Sequence, residues 1–259
     1  MVTARTLLVL GLLSASLPAQ AALGFQEASA RDPDSGDLLY TEHHLLRQQD
    51  QQLRQRLVVY RCADGTAFAR KRIDYAGSAL APAFHFEDAR LGYREGLRRG
   101  PGGQELWVQR SPGDAERSAS LDAGTALVAD AGFDEFVRRQ WQPLLAGDAV
   151  KLQFAVPSRL DSYDFTVRRR GSDRVAGEDA EVFRLRLGGL LGLLAPHIDV
   201  AYARDSRRLL RFEGLSNLRD EDGEPLQARI DFPTPVRPAD EARWQALASE
   251  PLSACRVRG

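Results

Sequence analysis

Lysine is nearly missing from this chain. Of 35 basic residues only Lys71 and Lys151 are lysines, and the arginine excess reads as codon usage before function. The formal net charge is −1 over 259 residues, so no overall basic field exists to hold nucleic acid. Histidines number four, His43, His44, His85 and His197, with no HxH, HExxH or CxxC spacing to build a metal site. No phosphate loop or dinucleotide fingerprint is present. Gly214-Leu215-Ser216-Asn217-Leu218 lacks the second glycine of a nucleophile elbow. These absences select no enzyme class, and no cofactor or metal is expected. A hydrolase with an unrecognised site remains the third reading, behind the two functions developed below. Pro/Ser-rich linkers and low-complexity tracts are also lacking, which favours one domain.

Long apolar runs are scarce too. Residues 1–21 carry one charge, Arg5, then an apolar stretch from Leu7 to Leu13, then Ala19-Gln20-Ala21. That is the pattern of a secretory signal peptide cleaved after Ala21, and its apolar part falls short of a bilayer span. The mature chain, 22–259, is expected to be a single β-rich domain without a membrane span, periplasmic or secreted. Cys62 and Cys255, the only cysteines, both lie in the exported part. An even count in an oxidising compartment permits one disulfide, closing a loop of nearly the whole domain.

What the chain has is alternation. Val150, Leu152, Phe154 and Val156 alternate with Lys151, Gln153 and Ala155. Phe183, Leu185 and Leu187 alternate with Arg184 and Arg186, and Ile230 and Phe232 with Arg229 and Asp231. Such strands bury one face and wet the other, as antiparallel sheets allow. Asp32-Pro33-Asp34-Ser35-Gly36, Ala63-Asp64-Gly65 and Asp220-Glu221-Asp222-Gly223 supply hairpin turns. The spacing predicts about 10–12 strands. Two segments read as helix. Residues 130–148 place Phe133, Phe136, Val137, Trp141 and Leu144 on one stripe, with Asp130 as cap and Pro143 disturbing the last turn. A shorter helix follows Pro238, with the proline in its first turn and Trp244 and Leu247 one turn apart. The fold class is mainly β (α+β): a curved antiparallel sheet or half-barrel with a central and a C-terminal helix.

Three local features invite chemistry. Tyr40, Glu42 and His44 share one strand face, and ordinary sheet pairing explains them more simply than acid–base or metal work. Arg168-Arg169-Arg170 with Arg174 reads as a solvated strand end before an anionic-surface site. GGLLGLLAP, residues 188–196, is a connection between two strands, too short to cross a bilayer. Its leucines either plug the space under the sheet or lie across the mouth of a cavity.

The run from Tyr202 through Arg207-Arg208-Leu209-Leu210 to Gly214, within residues 148–235, resembles exported, uncharacterised β-rich proteins of Gram-negative bacteria. It is similar to lipoprotein-carrier-like half-barrels and DUF3108-type periplasmic proteins. The resemblance implies a curved sheet around an apolar hollow with helices on its concave side, and carries over no catalytic residue. Two functions compete. One is an envelope module binding or carrying an apolar molecule such as a lipid, lined by Trp141, Phe154, Phe183, Leu190, Leu191, Leu194, Tyr202 and Phe212. The other is a structural or interaction protein without a small ligand.

Overall fold

The structure is a computed structural model describing residues 22–100, 103–121, 127–189 and 196–257. Its frame is one sheet of 16 strands. Eight strands form an antiparallel meander: β1 (Ala22–Arg31), β2 (Leu38–Gln49), β3 (Gln52–Arg61), β4 (Ala67–Asp74), β5 (Ala83–Asp88), β6 (Tyr93–Gly100), β7 (Gly103–Gln109) and β8 (Arg117–Leu121). A short β9 (Leu127–Ala129) follows, then a second meander: β10 (Val150–Val156), β11 (Asp161–Val175), β12 (Glu178–Leu187), β13 (Ile198–Ala203), β14 (Leu209–Arg219) and β15 (Pro225–Asp231). Antiparallel pairing of β1 with β15 joins the two meanders, and β9 adds parallel to β10 at the far edge. A two-residue β16 (Arg237–Pro238) continues beside β1 past the end of β15.

Sixteen strands exceed the expected number because β5 to β8 hide their alternation. Their inward positions carry Asp88 and Glu95 among the apolar residues, while an outward position carries Trp107. Turns without glycine added length. Asp50 and Gln51 both take positive φ (51° and 62°), so β2 and β3 run into a two-residue turn rather than a loop.

Residues 130–148 form two helices, not one: α1 (Gly132–Arg139) and α2 (Trp141–Leu145), broken at Gln140. Pro143 is tolerated because it sits in the first turn of α2, where its missing N–H loses no helical bond. Asp130 does not cap α1 through a side-chain bond to its second or third amide. It takes φ +45°, accepts from the Ala131 amide at 2.7 Å and pairs with Lys71. The C-terminal helix α3 (Glu241–Ser249) starts later than Pro238, with Asp240 accepting from the Arg243 amide at 2.8 Å.

The contacts of one carboxylate show the sheet's curl. Asp134 of α1 reaches Arg56 of β3 at 3.5 Å and the Tyr202 hydroxyl of β13 at 2.9 Å. Those strands are five places apart in the sheet, about 24 Å on a flat one. Both can touch Asp134 only if the sheet wraps around α1. The strands nevertheless do not close into a barrel among the described residues. Other bonds cross between the two halves: Ala129 N–H of β9 donates to the Leu80 carbonyl in the β4–β5 connection at 3.0 Å, and Arg110 after β7 donates to the Ser158 carbonyl after β10 at 2.7 Å.

Inner and outer faces separate as the alternation requires. Phe183, Leu185, Ile230 and Phe232 are buried and Leu187 half-buried, while Arg186 and Gln227 are exposed and Arg184, Arg229 and Asp231 half-exposed. The resemblance implied helices on the concave side, and α1 and α2 are there. α3 is not. It packs by Leu247 and Trp244 on Phe25, Leu45 and Leu57, which point out of the opposite face. The tail beyond α3 is pinned by the Cys62–Cys255 disulfide, with Cα atoms 6.4 Å apart. Val257, at 1% exposure, joins the inner core.

Candidate functional site

On the concave side α1 and α2 bring the expected aromatic residues together. Trp141 meets Phe183 edge-on with centroids 5.3 Å apart, and Tyr202 lies 6.2 Å from Phe183 and 6.4 Å from Trp141. All three are at most 3% exposed and share a core with Phe136, Val137 and Leu144. Phe154 and Phe212 are half-buried at the margin of this core. These five side chains pack on one another and on the helices. Leu190, Leu191 and Leu194 lie outside the described residues. The segment that carries them leaves β12 through Gly188, whose amide donates to the Asp164 carbonyl at 2.7 Å, and returns as β13.

Between this apolar core and the first meander lies a buried polar layer. Lys71 pairs with Asp130 and Arg56 with Asp134, so both acids at the start of α1 face cations of the sheet. Glu42 and His44 do share the inner face, 2.7 Å apart and each under 7% exposed, with Phe232 against the imidazole. His43 points outward toward Arg61 and Glu27. Glu95 accepts from the Tyr93 hydroxyl, and burial raises its carboxyl above the usual carboxylate range. Among the described residues no group of three or more His, Cys, Asp or Glu could hold a metal ion. The layer is an anchoring device: it charges the seat on which α1 docks. The triple arginine is likewise engaged in part, Arg169 with Glu181 on the face of Phe183 and Tyr202 and Arg170 with Asp199 on the convex face.

The convex side carries an open groove. One cross-strand row, Phe25–Leu45–Leu57–Arg72–His85–Gly96–Trp107, can be followed from β1 to β7. α3 covers its first three members and stops at Trp244 and Ala248. Beyond that edge a groove of about 690 Å³ lies over β3 to β7. Trp107 and His85 form part of its lining, with rings 5.0 Å apart. Gly96 is required there: a Cβ would stand 2.2 Å from the Phe84 carbonyl oxygen and 2.7 Å from the Trp107 indole nitrogen. The indole therefore lies across Gly96 instead of projecting from the sheet. Burial lowers the His85 pKa below its ordinary value, which favours the neutral ring. Reading the sequence for inner-face residues missed this groove. The available signal was a glycine inside a strand, a mark of close approach by another group.

Neither a protein-family model nor a curated protein matches the chain. Solved structures do. The chain is similar in fold to a β-barrel-like protein of the domain of unknown function DUF1849 from Brucella abortus. The TM-score is 0.50 at 8% identity, covering 85% of this chain and 98% of that one. A DUF1329 family protein from Desulfovibrio piger aligns over 86% of this chain and 88% of its own, at 12% identity and a TM-score of 0.26. The first likeness is one of fold alone.

Proposed function

We propose that the chain is an exported protein of the cell envelope that binds a small amphipathic ligand in the convex groove. Residues 1–21 serve as the export signal and residues 22–259 as one binding domain. The Cys62–Cys255 disulfide suits an oxidising compartment, and among the described residues no helix is long and apolar enough to cross a membrane. The observation that carries the reading is the contrast between the two faces. The concave aromatic residues are occupied with each other, whereas the groove is open, about 690 Å³, and mixes rings with polar side chains. That volume falls inside the range of ordinary small-molecule sites.

A second reading follows the resemblance to lipoprotein-carrier-like half-barrels. An apolar ligand such as a lipid would sit on the concave side against Trp141, Phe154, Phe183, Tyr202 and Phe212, with Leu190, Leu191 and Leu194 as the further contacts that the sequence suggests. The aromatic wall between α1–α2 and β10–β13 supports it, and α1–α2 would have to yield to admit the ligand.

One experiment separates the readings. Anilinonaphthalene sulfonate, a ring with an anionic edge, is titrated into mature protein whose N-terminus has been sequenced. Export predicts a chain beginning at Ala22. The groove reading predicts tryptophan-to-probe energy transfer that Trp244→Ala weakens and Trp141→Phe leaves in place. Loss in Trp141→Phe alone would move the ligand to the concave side. Saturable binding neither of this probe nor of an uncharged ligand would leave a structural or interaction protein.

A further inference from the structure

Resting on the groove reading, we propose that the ligand of the convex groove is an uncharged saccharide. A sugar ring has an apolar C–H face and a rim of hydroxyls, each a donor and an acceptor at once. Its site therefore needs aromatic surface beside planar polar side chains that can meet neighbouring hydroxyls in pairs.

The groove supplies both. Trp244, half-buried at the edge of α3, contributes aromatic lining, and Arg47 stacks on its ring at 4.5 Å from the centroid. Half-buried His85 continues the aromatic lining on β5, and Trp107 forms the floor beneath it on β7, 5% exposed with Arg98 over its ring at 5.7 Å. Around them stand Gln55, Gln109, Asp74 and Glu116, two amides and two carboxylates, with guanidinium groups between. This set offers acceptors and donors in similar measure.

Charge decides against the other ligand classes. Arg98 is held by Glu105 at 2.7 Å and Glu116 at 2.8 Å, and Arg72 by Glu87 at 3.2 Å. Among the described residues Arg94 and Asp74 form no ion pair, and their charges are opposite. The lining is thus close to neutral. A phosphate or carboxylate would gain one free guanidinium, Arg94, and face one free carboxylate, Asp74, with the remaining charges already paired. A lipid chain would have to strip water from amides, acids and arginines with no partner to replace it. A neutral polyol meets every one of those groups with a hydroxyl.

The test is titration calorimetry of the mature, disulfide-bonded protein with maltotriose, cellotriose and the trimer of N-acetylglucosamine. Inorganic phosphate and sodium dodecanoate serve as charged probes, and anilinonaphthalene sulfonate reports on the groove itself. At least one saccharide should bind, with an affinity that changes little between low and high salt. Trp244→Ala and Gln109→Ala should each weaken it about tenfold. Trp141→Phe should not. Circular dichroism melts establish that each variant is folded, and Gln109→Ala keeps the test alive if Trp244→Ala is not. If all three saccharides fail while the naphthalene probe binds in a Trp244-dependent way, the sugar assignment is wrong and the groove reading stands. Binding of phosphate or dodecanoate that falls steeply with salt and is lost in Arg94→Gln overturns the sugar assignment in favour of an anion. If no probe binds the groove, both readings fall.

Discussion

Replacing Asp134 with alanine tests how much the side chain that bridges β3 and β13 contributes to the curled sheet. The substitution removes the acceptor of the Tyr202 hydroxyl, 2.9 Å away on a fully buried side chain. Orphaning such a group costs about 1–3 kcal/mol. It also removes the carboxylate 3.5 Å from Arg56, whose side chain is 15% exposed. Breaking a buried pair from one side costs about 3–5 kcal/mol. The long separation and the remaining solvent access place this pair below that range, at about 2 kcal/mol. The sum is about 4 kcal/mol, a large part of the about 5–15 kcal/mol that holds a typical domain. Urea titration followed by tryptophan fluorescence measures it. The cycle with Tyr202→Phe gives the sharper reading. In the parent protein Tyr202→Phe should cost about 1 kcal/mol. In the Asp134→Ala background it should cost nothing or restore stability, because the orphaned hydroxyl goes with it. A loss below about 1 kcal/mol for Asp134→Ala, or an equal effect of Tyr202→Phe in both backgrounds, would refute the keystone role.

Three further outcomes are expected. The Cys62→Ser, Cys255→Ser pair opens a bridge spanning 193 residues, for which the chain-entropy estimate is about 5 kcal/mol as an upper bound; an unchanged urea midpoint would show that the tail contributes nothing. Burial raises the Glu95 pKa, with Tyr93, Lys71 and Arg219 opposing it, so the folded state holds that proton more tightly than the unfolded chain does. Its contribution to stability is therefore complete below about pH 4.3 and is lost as pH rises through the higher folded value; Glu95→Gln should flatten that decline in melts across the range, and parallel curves would contradict it. Gly96→Ala should destabilise by about 1–3 kcal/mol and shift Trp107 emission as the indole is pushed off the sheet; a variant with parental stability and spectrum would mean the indole does not need that surface.

The sequence by itself determined the fold class, the faces of the strands and the one possible disulfide. Period two puts Phe183 and Leu185 on one side of β12 and Arg184 and Arg186 on the other, whatever the sheet does next. Two cysteines leave a single intramolecular pairing, and Cys62 and Cys255 make it. The helical stripe from Phe133 to Leu144 also survives, because burial of that face is a local pattern, even though the chain breaks at Gln140. Tertiary structure alone decided the rest. Asp130 looks like a helix cap until Lys71, on a distant strand, is brought beside it. Gly96 is only a glycine inside a strand until Trp107 of the neighbouring strand is found lying across it, beside the part of the outer face that α3 leaves uncovered. Local patterns register where a residue points relative to its own element. They carry no record of which elements, separated by a hundred residues of chain, will share the space it points into.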